Sequence, residues 1–296
     1  MSLGPQGDAM HDHDHGLSAD LERLLAQPAS RRQSLRWLFA GAASAMLPLA
    51  GCGGGSGDDG FGISTSTTTG NSTGSTGATS AACSVIPEET GGPYPGDGTN
   101  RNANGVANAL VLSGIVRSDI RASIAGASGV AAGVPLTIRL QLVNVATGCT
   151  LAPGAAIYLW HCTREGGYSM YSNGIVNENY LRGVQEADSE GWVTFTTIFP
   201  GCYDGRMPHV HFEVYPTLAK AGSATNRVKT SQFTFPMATL NEAYTASGYG
   251  SSVSNLSRIS YALDNVFSDG TALQMATVTG NATQGYVATL VVGVSL

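Results

Sequence analysis

Charge and histidine are both scarce in this chain. Asp, Glu, Lys and Arg together make up 12% of the 296 residues, and the formal net charge is -6. No basic patch interrupts the sequence, which argues against nucleic acid as a partner. No nicotinamide or flavin motif is present either, so we expect no organic redox cofactor.

Long hydrophobic runs are also missing. The apolar stretch at residues 37–50 is about 14 residues long, whereas a spanning helix needs roughly 20. It suits the core of a signal peptide. The preceding SRRQSL at 30–35 resembles a twin-arginine motif, and LAGC at 49–52 resembles a lipobox with Cys52 as the lipidated residue. We therefore expect residues 1–52 to direct export to the periplasm or cell surface, with a lipid anchor as the only membrane contact. The alternative is an ordinary cleaved signal followed by a chance cysteine.

The rest of the chain divides into a linker and one domain. Residues 53–82 are almost entirely Gly, Ser and Thr, which predicts a disordered tether. Residues 83–296 contain short apolar runs separated by Gly, Asn, Asp and Pro, a pattern that predicts an all-β sandwich of two mostly antiparallel sheets. We predict strands at 111–118, 134–143, 156–161, 191–198, 210–215, 232–235 and 286–292, and helical turns within 240–267 around Asn241–Ala243.

The domain has only three histidines, and two of them form an H-x-H pair. On a strand, His209 and His211 point to the same face and can bind one metal ion. Tyr203 lies just upstream, and Tyr168 follows a strand end and a Gly-Gly turn. Phenolate is a hard anionic donor, and two phenolates with two imidazoles favour ferric iron over zinc.

Several pieces of the domain occur in the order found in one enzyme family. They are IPEETGGPYPGDG, IYLWH, GGYS, YLRGVQEADSEGWVTFTTIFPG, CYDGRMPHVHF, TSQFTFP, DNVFSDG and VTGNATQGYVATLVVGV. From about Cys83 to the C-terminus the chain resembles the intradiol ring-cleavage dioxygenases of the catechol and protocatechuate type, most closely their exported branch. The Y-x-G-R-x-P-H-x-H run is the specific part of this resemblance.

The resemblance implies a role for each matching residue. Long loops would carry one non-haem Fe(3+) per chain on one side of the sandwich, bound by Tyr168, Tyr203, His209 and His211. Tyr168 would stay bound during turnover, and Tyr203 would leave when substrate binds. Arg206 would lie beside the carbon skeleton of the substrate, and Gln232 would lie near the same pocket. The alternatives are a surface arginine in a turn and a plain strand-end glutamine.

Three further residues compete for a place in this site. Tyr171 is an alternative to Tyr168 as a ligand, although the GGYS match favours Tyr168. His161 ends a predicted strand, and we expect it to be a hydrogen-bonded structural histidine. Tyr94 either lines the substrate site or packs against its neighbours.

The cysteines predict disulfides if Cys52 carries lipid, because four then remain in an exported protein. We expect Cys149 to pair with Cys162, since Pro153-Gly154 would turn the chain between them. That leaves Cys83 to pair with Cys202. Buried free thiols are the alternative.

The function implied by the resemblance is cleavage of a small aromatic diol by O2 between its two hydroxyl-bearing carbons, to give a muconate-type diacid. One alternative is an exported lipoprotein that uses the same sandwich as a binding module without dioxygenase activity. Another is a copper or zinc protein that binds metal through the H-x-H pair.

Overall fold

The computed structural model describes residues 83–296. The predicted export region at 1–52, the lipidation of Cys52 and the predicted tether at 53–82 lie outside the described residues. Within 83–296 the chain is mostly β, with sheets packed against each other, so the predicted all-β sandwich is confirmed.

Eleven strands and two short α-helices form within residues 83–296. The strands are β1 (Asp97–Asn102), β2 (Gly105–Asn108), β3 (Pro135–Asn144), β4 (Thr150–Leu151), β5 (Ala156–Trp160), β6 (Arg182–Glu186), β7 (Trp192–Ile198), β8 (His209–Tyr215), β9 (Lys229–Thr234), β10 (Thr277–Asn281) and β11 (Gly285–Val294). The helices are α1 (Met237–Ala243) and α2 (Gly250–Leu256). Over this same range, no helix has the length and apolar character of a membrane span.

The strands form two sheets and one separate hairpin. In the first sheet β3 pairs in parallel with β11. Strands β4 and β7 pair antiparallel with β3, and β10 pairs antiparallel with β11. The second sheet has the order β6-β5-β8-β9, and all its pairs are antiparallel. The hairpin consists of β1 and β2. Antiparallel pairing therefore dominates, as predicted.

Alternate residues of the central strands fill the space between the two sheets. Leu136, Ile138 and Leu140 of β3 belong to the same buried cluster as Ile157 of β5 and Phe212 of β8. Removal of this apolar surface from water is the main stabilising contribution to the sandwich. The period-two alternation of these strands is the reason why the sequence predicted them.

The second sheet is buried on its outer face as well. On β8, Val210 and Phe212 point into the core, so His209 and His211 point to the opposite face. All seven residues of β8 are buried, because a second apolar cluster that includes Trp160 covers that face. The histidine pair therefore lies beneath covering segments and not on an open sheet surface.

One of these covering segments is the extended chain at residues 84–96, which we call the strap. Ile86 N donates to Gly293 O at 2.9 Å, which attaches the strap to the end of β11. Glu89 N donates to Thr230 O at 2.9 Å, which attaches it to β9. The strap thus runs from the first sheet to the second before β1 begins.

The predicted strand at 111–118 is wrong. Val111 is 67% exposed and Val116 is 53% exposed, so this segment has no continuous apolar face to bury. It consists of turns, with one isolated bridge from Val116 to Val184. The other six predicted strands correspond to β3, β5, β7, β8, β9 and β11, and the predicted helical turn lies in α1.

Both predicted disulfides are wrong as well. The structure joins Cys83 to Cys149, with Cα atoms 5.5 Å apart. Cys162 and Cys202 are buried free thiols. The reason is that β5 carries the chain away from Cys149, so that Cys162 lies at the other end of the sandwich, where its Sγ is 3.5 Å from Gly201 O.

Replacement of Cys149 by Ser should lower the midpoint of thermal unfolding. The disulfide spans a sequence separation of 66 residues, and loop-closure entropy gives about 4 kcal/mol for a loop of that length. Calorimetry under oxidising conditions measures the difference between the variant and the wild type. Under reducing conditions the two proteins should unfold at nearly the same temperature, and a difference that persists there would contradict the pairing.

Candidate metal centre

The four predicted donors meet at one end of the second sheet. His209 and His211 begin β8, Tyr203 lies in the loop before β8, and Tyr168 lies in the loop after β5. His209 Nε2 is 3.0 Å from His211 Nε2, 3.2 Å from Tyr203 Oη and 3.5 Å from Tyr168 Oη. Strand β8 and the two loops therefore bring the other three donor atoms to within 3.5 Å of His209 Nε2.

This spacing fits a single metal ion. Donors bound to a first-row metal at about 2.0–2.1 Å lie roughly 2.9–3.6 Å from one another, and the three observed distances fall within that range. Among residues 83–296, no three His, Cys, Asp or Glu side chains gather to hold a metal. A metal ion held here would need the tyrosines as further ligands, and two hard anionic oxygens with two imidazoles suit a trivalent iron.

The histidines are oriented by their neighbours. His209 Nδ1 lies 2.6 Å from Met207 O, which can only accept, so Nδ1 carries the proton. The lone pair of His209 Nε2 therefore faces the other three donors. The ring of His211 stacks on Trp160, with centroids 4.9 Å apart and planes within 2° of parallel. Each imidazole is thus fixed by a contact outside the donor set.

The protonation states in the metal-free protein follow from burial. Burial lowers the pKa of His209 and of His211 well below the usual range, and the charge of Arg206 lowers both pKa values further. Burial also raises the pKa of the Tyr168 and Tyr203 phenols, against which Arg206 acts in the opposite direction. All four groups are therefore neutral near pH 7, and metal binding must displace the phenolic protons.

The Gly-Gly turn before Tyr168 has a specific packing reason. Gly166 has φ +93°, a conformation that L side chains rarely adopt, and a Cβ there would lie 3.0 Å from Tyr203 Cβ. The turn thus brings the Tyr168 loop against the Tyr203 loop. Tyr168 N donates to Ser172 Oγ at 2.8 Å, which fixes the backbone that carries the phenol.

Arg206 and Gln232 lie together beside the donors. Arg206 Nη2 donates to Gln232 Oε1 at 2.8 Å, and Gln232 Nε2 donates to Thr90 O of the strap at 2.8 Å. The side chain of Arg206 is only 11% exposed, so it is not a surface arginine in a turn. Gln232 is fully buried and pairs in register with His211, which places it next to the donors and not at a free strand end.

The strap closes the space over the second sheet. An ideal Cβ on Gly92, whose φ is +67°, would lie 3.3 Å from His211 Cε1, so the backbone approaches the imidazole closely. The ring of Tyr94 lies 4.9 Å from the ring of Tyr168. Tyr94 therefore packs against a predicted ligand.

His161 and Tyr171 lie outside the donor set. His161 is buried, with Nδ1 2.8 Å from Cys162 O and Nε2 2.7 Å from Thr197 Oγ1, which confirms that it is a hydrogen-bonded structural residue. Tyr171 Oη donates to Asn100 Oδ1 at 2.5 Å. Of the two tyrosines considered as ligands, Tyr168 is the one that faces the histidines.

Sequence reasoning missed two buried charges near the site. Arg182 donates to Tyr94 O at 2.9 Å and to Ser169 O at 2.9 Å, so it joins the strap to the loop that carries Tyr168. Asp264 accepts from Arg206 Nε at 3.0 Å. Both residues lie in matched pieces, YLRGVQEADSEG and DNVFSDG, and that match was the only signal that pointed to them.

Known proteins resemble this chain in sequence and in fold. Residues 118–227 match the family model described as Dioxygenase. The intradiol ring-cleavage dioxygenase from Tetranychus urticae is 25% identical with a TM-score of 0.55, and the match covers 72% of this chain and 95% of that chain. No curated protein matches the chain. The resemblance to the intradiol ring-cleavage dioxygenases is thus confirmed, in sequence over residues 118–227 and in fold over 72% of this chain.

Two further solved structures are more distant. The dioxygenase domain of a carbohydrate-binding fusion protein from Streptomyces sp. SirexAA-E is 21% identical with a TM-score of 0.44, over 72% of this chain and 99% of that chain. The 3-chlorocatechol 1,2-dioxygenase from Rhodococcus opacus 1CP is 15% identical with a TM-score of 0.42, over 67% and 73%.

A buried carboxyl group lies on the same face of β8 as the histidines. Glu213 is 1% exposed, and its Oε2 accepts from Tyr215 Oη at 2.6 Å. Burial raises the pKa of Glu213 to about 8, while the hydrogen bond from Tyr215 and the charge of Arg227 lower it. The folded protein therefore holds a proton that the unfolded chain releases near its ordinary pKa of about 4.

Replacement of Glu213 by Gln should flatten the decline of stability with rising pH. Because the folded pKa is raised, the stabilising effect of the neutral carboxyl is complete below the unfolded pKa and is lost as the pH rises to about 8. As the pH rises from 5 to 8, the unfolding temperature of the variant should increase relative to that of the wild type. Calorimetry across that range tests this, and a temperature difference that stays constant with pH would contradict it.

Proposed function

We propose that this protein is a non-haem ferric intradiol dioxygenase that cleaves a catechol-type aromatic with O2 between its two hydroxyl-bearing carbons, giving a muconate-type diacid. The observation that carries this proposal is that two phenols and a second imidazole lie 3.0–3.5 Å from the imidazole nitrogen His209 Nε2. The match to the Dioxygenase family supports an oxygenase reaction of this class.

The residues of the site divide the work between them. Bound ferric iron would supply the positive charge that makes both hydroxyls of a bound diol acidic and activates the diol toward O2. Tyr168 is buried and held at its backbone, so it is suited to remain a ligand throughout. Tyr203 is only partly buried, and burial raises its pKa, so a released Tyr203 is a ready acceptor for a substrate proton.

Arg206 provides the positive charge on the substrate side of the site. The charge of its guanidinium opposes the rise that burial causes in the pKa of Tyr203, and it adds to the fall that burial causes in the pKa of His209. The same charge can stabilise anionic character in an aromatic ring bound beside these two residues. Gln232 holds one edge of the guanidinium, and Asp264 holds another. Preorganised charge of this kind is effective because it needs no rearrangement during the reaction.

We also propose that the protein is exported and lipid-anchored. The support is the Arg31-Arg32 pair, the apolar stretch at 37–50 and Cys52, together with the Cys83–Cys149 disulfide. Disulfides of this kind are typical of oxidising compartments outside the cytoplasm. Replacement of Cys52 by Ser should move the protein from the membrane fraction to the soluble periplasmic fraction, and an unchanged distribution would count against the anchor.

Addition of Fe(III) to the metal-free protein should give a red-brown colour and release roughly two protons for each iron, because both phenols are neutral beforehand. Tyr168→Phe and Tyr203→Phe should each remove about one of those protons and shift the visible band. The matched control is Tyr171→Phe, whose hydroxyl bonds outside the donor set. A colourless protein with full iron occupancy would contradict the assignment of Tyr168 and Tyr203 as iron ligands. Preferential copper or zinc binding would favour the alternative metal protein.

Oxygen uptake with a panel of catechols tests the reaction itself. The iron-loaded protein should consume O2 and form a muconate-type product, and Tyr203→Phe should lower kcat/KM by about 100-fold or more. Tyr171→Phe again serves as the control, with little expected change. A protein that binds iron but neither consumes O2 nor forms this product would support the binding-module alternative.

A further inference from the structure

Asp264 is a fully buried carboxylate outside the predicted site. It lies in the segment that follows α2 and is 58 residues from Arg206 in sequence. Its Oδ2 accepts from Arg206 Nε at 3.0 Å and from Met207 N at 2.7 Å. Its Oδ1 accepts from Val266 N at 2.8 Å and from Phe267 N at 3.1 Å. Both oxygens are therefore occupied by donors, as a buried charge requires.

We infer that Asp264 is a positioning residue for the proposed reaction, one that orients Arg206 and His209 together without touching substrate or metal. The inference rests on the proposed function for its catalytic consequence. Its structural basis is that Oδ2 of Asp264 accepts hydrogen bonds from two adjacent residues of the loop before β8, Arg206 and Met207. Arg206 carries the charge beside the donors, and Met207 contacts the imidazole of His209.

The first connection is the guanidinium of Arg206. Asp264 engages Nε, and Gln232 Oε1 engages Nη2 at 2.8 Å, so two contacts fix the planar group in its rotation as well as its position. Gln232 is itself fixed, because its backbone carbonyl oxygen accepts a hydrogen bond from Gln274 Nε2 at 2.9 Å. The plane of Arg206 is thus set from two sides by buried groups.

The second connection runs through the backbone to a predicted ligand. Asp264 fixes the N–H of Met207, and Met207 O lies 2.6 Å from Nδ1 of His209. Partners of this kind determine the tautomer and the direction of a ligating imidazole. A shift of Met207 would therefore turn the lone pair of His209 away from the other donors. One carboxylate sets both the substrate-side charge and a ligand direction.

The replacement Asp264→Asn removes the negative charge and one of the two acceptor oxygens. The amide keeps one oxygen acceptor, but its NH2 group must face either the donors Arg206 Nε and Met207 N or the donors Val266 N and Phe267 N. A buried Arg206 then lacks its anionic partner, which is strongly unfavourable for a buried ion pair. With Arg206→Met as well, the unpaired guanidinium is gone, and the Asn is tolerated better.

The unfolding of the metal-free protein gives a readout that does not depend on activity. The double variant Arg206→Met, Asp264→Asn should unfold at a higher temperature than Asp264→Asn alone. Independent, additive losses of stability would overturn the pairing of Asp264 with Arg206. This result stands whether or not the protein is a dioxygenase, so it separates failure of this inference from failure of the proposed function.

Steady-state oxygen uptake with catechol tests the catalytic consequence. Asp264→Asn should lower kcat/KM by about 10–100-fold. The double variant should lose more than Arg206→Met alone but less than the product of the two single losses, because Asp264 acts partly through Arg206 and partly through His209. A value for Asp264→Asn within about twofold of the wild type, or multiplied losses in the double variant, would overturn the inference.

The matched control is Asp188→Asn. Asp188 is exposed in the turn between β6 and β7 and accepts from Glu190 N and Trp192 N at 2.9 Å, so the same chemical change occurs far from the site. It should leave kcat/KM near that of the wild type. If Asp264→Asn does not fold, Asp264→Glu keeps the charge and displaces it by one methylene. A folded Asp264→Glu protein should still lose kcat/KM, and full activity in that protein would overturn the inference.

Discussion

Strand β8 makes the hydrophobic core and the candidate metal centre depend on one short piece of backbone. Its side chains alternate, so Val210 and Phe212 enter the core while His209 and His211 face the covered outer side. A slip of one residue in the pairing of β8 would exchange these two sets, placing imidazoles in the core and apolar groups among the phenols. Because the core forbids that slip, apolar packing fixes the register in which the donors meet. The remaining donors reach the site from loops whose ends are set by β5 and β7.

The outer face of the second sheet gains its chemical character from burial. Neutral phenols and neutral imidazoles are the stable forms there, because desolvation acts against charge on all four groups. Near pH 7 the imidazoles therefore take up no proton, and a cation that binds here must displace the phenolic protons. The buried guanidinium of Arg206 is tolerated in the same region because Asp264 neutralises it at 3.0 Å. Under the proposed function, charge at this site would be supplied by a metal and balanced by tyrosinate.

Local patterns in the sequence predicted the parts of this structure that local physics determines. The strands with apolar alternation were predicted because one of their faces enters the core, and the H-x-H pair was predicted because period two is a property of any strand. The strand at 111–118 was wrong because Val111 and Val116 are exposed, so that this segment buries no continuous apolar face. The disulfides were wrong because pairing depends on which ends of the sandwich two residues reach, and spacing along the chain does not reveal this. Asp264 and Arg182 were missed for the same reason, since their partners are distant in sequence and their hydrogen bonds exist only after the sheets have packed.

The position of the Cys83–Cys149 disulfide has a mechanical consequence. The strap begins next to Cys83 and passes over His211 at Gly92, so a tension applied to the chain ahead of it would, without the disulfide, be directed along the strap toward the imidazole. The covalent link diverts that force at Cys149 into the turn that follows β3. That strand is anchored by parallel pairing with β11 and antiparallel pairing with β7 along most of its length. A sheet sheared along its strands resists extension far better than a single segment held by a few hydrogen bonds. The domain therefore isolates its candidate metal centre from pulling forces on its N-terminal side.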